Sequence, residues 1–327
     1  MKRSLSGIQP SGILHLGNYF GAMKQFIENQ ESHDGFYFIA DYHSLTSLTD
    51  PASLRENSYN IVLDYLALGL DPERSTIFLQ SDVPEHTELM WLLSNVTPVG
   101  LLERGHSYKD KTSKGFTANT GLLTYPVLMA ADILMYDADI VPVGKDQKQH
   151  LEMARDIAMK FNQQYNVELF TLPEPMIMES LAVVPGTDGQ KMSKSYGNTI
   201  NMFASKKELK KQVMSIVTDS TPLEEPKNPN NNIVDLYKLF VSEEKVQEMM
   251  DKFRAGNYGY GHAKNELLEA ILEYFAEARA KRERLAENPE YVEEILALGA
   301  RKARAIAREK ITKAKQAVGL IGNAYNK

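Results

Sequence analysis

The sequence predicts an α/β fold in which a parallel sheet forms an N-terminal catalytic domain and helices form a C-terminal domain. Two observations predict the sheet: short β-rich runs recur at residues 3–8, 36–40, 75–80 and 140–143, and segments of helical period separate them. Such alternation builds βαβ units with parallel strands. A third observation predicts the helical part, because β-rich runs become scarce after Tyr196.

Residues 53–68 read as a helix with Leu54, Ile61, Leu63, Tyr65, Leu66 and Leu68 mostly on its buried side, stopped by Gly69 and Asp71-Pro72. Pro222, Pro226 and Pro229, with Asn228 and Asn230 to Asn232, form a breaker-rich loop, and helices dominate from Ile233. A boundary near residue 205 divides the chain into domains 1–205 and 206–327. The segment 297–318 sets Arg301, Lys302, Arg304, Arg308, Lys310, Lys313 and Lys315 against one acid, Glu309. It reads either as a solvated helix face or as an RNA backbone contact.

The 327 residues are 43% apolar and 24% charged, which suits a globular protein and excludes disorder as a class. No cysteine is present, so disulfides, thiolate metal sites and cysteine nucleophiles are excluded. A formal net charge of −6 argues against a generally basic nucleic-acid-binding coat. The first residues lack an apolar leader region and no later run is long and apolar enough to span a membrane, so a cytoplasmic protein without membrane contact is expected.

Four segments carry candidate chemistry. Residues 7–18 pass from the first strand through glycine into a helix start, presenting backbone N–H groups and a helix dipole to an anion. Gly17 would admit a nucleotide without a Cβ in the way, while His15 and Asn18 offer donors to phosphate; a helix cap with a surface histidine is the plainer alternative. Residues 185–195 place Lys191, Ser193, Lys194 and Ser195 after a glycine-rich turn, able to close over a triphosphate or to lie as a solvated basic loop.

Around residues 140–150 a strand passes through Gly144 into a helix, and Asp146 could accept two ribose hydroxyls or cap the helix. In the segment 122–136, Pro126 suits a first helical turn, and Tyr125, Met129, Asp132 and Tyr136 fall on one face. A carboxylate inside that stripe is costly unless paired. Asp132 would be satisfied either by a salt bridge or by a ligand donor such as an indole N–H, which has only a hydrogen to offer.

As a set, His15-Leu16-Gly17-Asn18, Lys191-Met192-Ser193-Lys194-Ser195 and residues 125–147 resemble the tryptophanyl branch, bacterial type, of the class I aminoacyl-tRNA synthetases. The first is similar to the HIGH signature with asparagine at its last position, and the second matches KMSKS residue for residue. The resemblance covers nearly the whole chain and is strongest over residues 5–195. It implies a Rossmann-like catalytic domain that includes the lysine loop, and a helical anticodon-binding domain whose last helix packs back on the first.

The resemblance implies an ATP-dependent ligase that activates L-tryptophan to its adenylate, releasing pyrophosphate, and passes the acyl group to tRNA(Trp). Catalytic roles fall on His15, Asn18, Lys111, Lys191 and Lys194. ATP contacts fall on Gln9, Pro10, Ser11, Gly17, Asn18, Gly144, Lys145, Asp146, Ala182, Lys191, Met192, Ser193, Lys194 and Ser195. Lys145 departs from the glutamate usual in the family. Tryptophan contacts fall on Gly7, His43, Tyr125, Met129, Asp132, Val141, Val143 and Gln147. Mg²⁺ is expected on the ATP phosphates rather than in a protein metal site, and the chain is expected to be a homodimer. The alternatives are a tyrosyl-tRNA synthetase, whose phenol needs a donor-acceptor site, and a non-catalytic paralogue that binds RNA.

Overall fold

The computed structural model describes residues 1–105, 108, 109, 113, 115, 119–143, 148–172, 174–177 and 183–320. Five parallel strands form one sheet in the order β3-β2-β1-β4-β5: β1 Lys2–Ile8, β2 His33–Ile39, β3 Ser75–Leu79, β4 Ile140–Val143 and β5 Glu174–Ile177. The first four lie where the sequence predicts them, within three residues at either end. The fifth was not expected, since a four-residue Glu-Pro-Met-Ile run carries little β signal. Because β2 and β4 flank β1, the strand order reverses there, and α/β sheets open a ligand crevice at the carboxyl ends of such a pair.

Between the strands of the sheet run α1 Leu16–Asn18, a π-helical turn Tyr19–Met23, α2 Lys24–Asn29, α3 Asp41–Ser44, α4 Pro51–Ala67, α5 Glu85–Ser94, α6 Val99–Glu103, α7 Thr120–Met135 and α8 Lys148–Tyr165. The predicted helix at 53–68 starts two residues earlier because Asp50 accepts the Ser53 N–H and Pro51 fits the first turn. Gly69 ends it at φ +110°, a conformation that a Cβ would strain. Pro126 lies in the interior of α7, not in its first turn. The helix begins earlier, where Asn119 accepts the Leu122 N–H.

Beyond Lys206 the described elements are helical: α9 Lys206–Met214, α10 Asn232–Tyr237, α11 Glu243–Ala255, α12 Tyr260–Tyr274, α13 Ala276–Ala286 and α14 Pro289–Ala317. The pleat sorts the core into two layers. Tyr37, Ile39 and Ile77 point to one face and pack with α4 and the C-terminal helices, whereas Leu5, Phe36, Phe38 and Phe78 point to the other and pack with α5, α7, α8 and the end of α14. One apolar cluster thus runs from Leu14 to Leu296, so the helical region shares the core of the sheet. Arg282 of α13 also reaches α4, at 2.5 Å from Asp64 and 2.9 Å from Asn60. Burial raises the Asp64 carboxyl to about 6, outweighing the pull of that guanidinium.

The basic segment 297–318 lies in α14, where Arg301, Lys302 and Lys313 are exposed and the other four cations reach acids on other parts of the chain. Arg304 and Arg308 approach the buried Glu85 of α5 at 3.3–3.4 Å, Lys315 bonds Glu88 at 2.6 Å, and Lys310 bonds Asp137 at 2.6 Å. The same helix meets β3 backbone to backbone, since a Cβ built on Gly299 would lie 1.8 Å from the Ile77 carbonyl oxygen.

Gly299→Ala is therefore expected to lose about 1–3 kcal/mol of stability by overpacking, reversing the gain of about 1 kcal/mol that alanine brings to an ordinary helix interior. Equilibrium denaturation of the purified variant checks the sign.

Candidate functional site

The two glycine-rich loops meet at the carboxyl end of β1. Gly12 turns the first loop at φ +114°, and His15 precedes α1 with extended backbone while its N–H donates to Asn18 Oδ1 at 3.1 Å. The second loop is a small hairpin pinned at Pro185 and Lys191, with Gly189 at φ +81° in its turn. Two hydrogen bonds join the loops: Lys194 Nζ donates to the Gly12 carbonyl at 2.9 Å, and the Leu16 N–H to the Ile200 carbonyl at 3.0 Å. Met192 is buried in the same apolar cluster as Leu14 and Leu16.

This contact gives Gly17 a nearer role than nucleotide access. A Cβ there would lie 2.9 Å from His15 Nδ1 and 3.3 Å from Met192 Cβ, so glycine is needed for the two loops to close on each other. His15 is buried, and its Nδ1 has no hydrogen-bond partner among the described residues. Burial first, and the Lys194 charge second, lower its pKa to about 4, so the ring is neutral at pH 7.

Sequence reasoning missed Asn198, which organises the lysine loop. It is buried, accepts the Ser193 N–H at 2.8 Å, and donates to Asp188 at 2.7 Å and to the Lys191 carbonyl at 3.1 Å. The signal was available, since an asparagine three residues beyond the lysine loop can supply both donor and acceptor to a turn. Lys191, Lys194 and Ser195 are exposed, and Ser193 Oγ lies 2.8 Å from Ser195 Oγ. Gln9 and Ser11 are exposed on the first loop and Pro10 is buried.

Asp132 projects from α7 into a buried set of donors. Its Oδ2 accepts from His43 Nε2 at 2.8 Å; its Oδ1 accepts from Gln80 Nε2 at 2.8 Å and from His86 Nδ1 at 2.6 Å. A carboxylate only accepts, so both histidine nitrogens carry hydrogen in these bonds. His86 Nε2 lies 2.7 Å from the Tyr136 hydroxyl. Burial works to raise the Asp132 carboxyl, but the hydrogen bonds and charge of His43 and His86 prevail and hold it at about 2. Burial, followed by the nearby Asp132 and Glu85 charges, drives the Tyr136 phenol upward, so it keeps its proton.

The predicted stripe is realised in part. Asp132 and Tyr136 share one network through His86, and the Tyr125 ring lies edge-on to His43 at 6.3 Å, its hydroxyl 2.6 Å from His150 Nε2. Met129 is half-buried and Val141 buried. Gly7 pairs with Phe38 one residue before the end of β1, and a Cβ there would meet the Phe38 ring at 2.5 Å. Lys111, Gly144, Lys145, Asp146, Gln147 and Ala182, together with the Val143 side chain, lie outside the described residues. Gln80 and His86 were not expected. Gln80 ends a strand-like run and His86 sits on a helix with no motif around it, so only the folded chain brings them to Asp132.

The family described as "tRNA synthetases class I (W and Y)" matches residues 2–276. The "Tryptophan--tRNA ligase" of Fusobacterium nucleatum is 75% identical over 325 residues, which span 99% of this chain and 100% of that protein. That of Rhodopirellula baltica is 54% identical over 97% of this chain and 99% of its own length. The crystal structure of tryptophanyl-tRNA synthetase from Campylobacter jejuni complexed with ADP and tryptophan superposes with a TM-score of 0.94 at 55% identity, covering 97% of this chain and 100% of that one. With both signature loops joined at the switch point of a parallel sheet, and with relatives this similar over their full length, the chain belongs to the class I tRNA synthetases for tryptophan and tyrosine, in the bacterial tryptophanyl branch.

Proposed function

We propose that this chain is a tryptophan-tRNA ligase, and one observation carries the substrate choice: a buried, ionised carboxylate, Asp132, held by three donors beside the crevice. Oδ2 keeps a lone pair for a further donor, which an indole N–H supplies and a phenylalanine ring does not. The phenol of tyrosine would bring a lone pair as well as a hydrogen, and the tyrosyl alternative is not favoured by relatives of this identity.

In the first step the tryptophan carboxylate attacks the ATP α-phosphate in line and pyrophosphate leaves; in the second the terminal ribose of tRNA(Trp) takes the acyl group. The joined loops suit the first step. Lys191 and Lys194 offer charge to the leaving pyrophosphate, the neutral His15 and Asn18 offer hydrogen bonds, and Lys194 is already drawn over the first loop. The unpartnered Nδ1 of His15 fits a site awaiting a polar ligand. Lys111 would add a phosphate contact, and Gly144, Lys145, Asp146 and Ala182 would complete the ATP site. Mg²⁺ would arrive on the ATP phosphates and offset their charge. Gly7, His43, Tyr125, Met129, Val141, Val143 and Gln147 would surround the amino acid.

We assign residues 1–205 to catalysis and 206–327 to anticodon binding, with α14 returning to the sheet. Family membership supports a cytoplasmic homodimer on which one tRNA spans both subunits. No described helix is long and apolar enough to cross a membrane.

Amino-acid-dependent pyrophosphate exchange tests the reaction: tryptophan supports it, and a tyrosine-only signal overturns the substrate assignment. For Asp132→Asn we expect a loss of about 100-fold in kcat/KM for tryptophan with little change in KM for ATP. Lys194→Ala should slow exchange by about 100-fold while moving tryptophan affinity less, because its partner is charge that develops in the transition state.

The His15 pKa is lowered, so from the unfolded value of 6.5 down to about 4 the unfolded chain binds a proton that the folded one refuses, and stability falls over that window. Imidazole NMR should place the His15 midpoint near 4, and a midpoint near 6.5 would contradict the burial argument.

A further inference from the structure

The donors that surround Asp132 are arranged unequally. Among the described residues, Oδ1 accepts two side chains, Gln80 and His86, whereas Oδ2 accepts only His43. A carboxylate has about four lone-pair positions, so Oδ1 is filled and Oδ2 has one left. Gln80, His86 and Tyr136 are all fully buried. Gln80 donates to Asp132 at the expense of its own oxygen, as Oε1 is buried without a partner among the described residues. Turning the amide over would set oxygen against carboxylate, so the orientation is fixed and one acceptor is left costly and unpaired. Residues selected only to stabilise a core would not leave it so.

Tyr136 completes the arrangement. Its hydroxyl lies 2.7 Å from His86 Nε2 and holds the ring by its second nitrogen while Nδ1 donates to Asp132. The terminal torsion of an aspartate is soft and roughly two-fold, so a carboxylate without these donors is free to turn.

We propose that Gln80 and His86 are positioning residues for tryptophan recognition: they occupy both lone pairs of Asp132 Oδ1, with Tyr136 holding the His86 ring in place, so that a single position on Oδ2 accepts the substrate N–H. The inference rests on the reading of Asp132 as the indole acceptor. Neither residue touches the substrate. Both act through the carboxylate, narrowing the site to a ligand that brings one hydrogen and no lone pair.

The test compares tryptophan with β-(benzothiophen-3-yl)alanine, a near isostere whose sulfur replaces the indole N–H, by pyrophosphate exchange on the full-length protein. The native chain should prefer tryptophan, and Asp132→Asn should erase the preference. His86→Leu is expected to raise KM for tryptophan about 10-fold and to shrink the preference by a similar factor, while kcat and KM for ATP move less. His86→Asn restores an N–H near Nδ1 and should recover most of the loss. Tyr136→Phe, which removes one oxygen, should shift the preference the same way by a smaller factor and keeps the test open if His86→Leu does not fold.

An unchanged preference in His86→Leu and Tyr136→Phe, with Asp132→Asn still erasing it, overturns the positioning role alone. Unchanged preference in Asp132→Asn overturns the indole reading and the inference with it. Equal losses for tryptophan and the benzothienyl analogue in the His86 variants would mark a purely structural role and overturn the proposal.

Discussion

The buried Asp132 carboxylate is the constraint around which the rest of the site is arranged. A charge taken out of water has to be met by donors from outside its own helix. Asp132 finds them on three separate elements: α3 supplies His43, the end of β3 supplies Gln80, and α5 supplies His86. The network therefore holds only if sheet and helices keep one mutual arrangement. The C-terminal helix α14 helps keep it. Gly299 seats that helix on the Ile77 carbonyl, three residues before Gln80, and Arg304 and Arg308 hold Glu85, the neighbour of His86.

A second constraint is closure between two loops far apart in the chain. Lys194 reaches the Gly12 carbonyl, and Met192 packs against Gly17. Cationic lysines near a neutral histidine suit a site that must receive a polyanion, because the ring adds hydrogen bonds without adding repulsion. Burial keeps His15 neutral, and the adjacent Lys194 reinforces it. Asn198 keeps the lysine loop in shape using backbone groups, leaving Lys191 and Lys194 exposed.

Particular residues show where sequence reading succeeded and where it stopped. The strand-helix period and the stop at Gly69 are local features whose effect is decided within a few residues, and the structure reproduces them. The interior position of Pro126 depended on where its helix begins, which Asn119 sets from six residues earlier than the expected start. The basic run of α14 looked like free charge because its acids lie more than 170 residues away. Gly17 was read as an approach to nucleotide, while the folded chain shows the His15 ring and Met192 already against it.

The sequence by itself determined the parallel α/β architecture, the two phosphate loops and the presence of a carboxylate on an apolar helix face, since each follows from short-range periodicity, turn chemistry or motif spacing. Only the tertiary structure decided what surrounds that carboxylate. Gln80 and His86 have no sequence pattern linking them to Asp132, and they become its partners because the crossovers of the sheet carry a strand end and a helix start to the same buried point. Hydrogen bonds act over about 3 Å, whereas the residues they join here are separated by 46 and 52 positions in the chain.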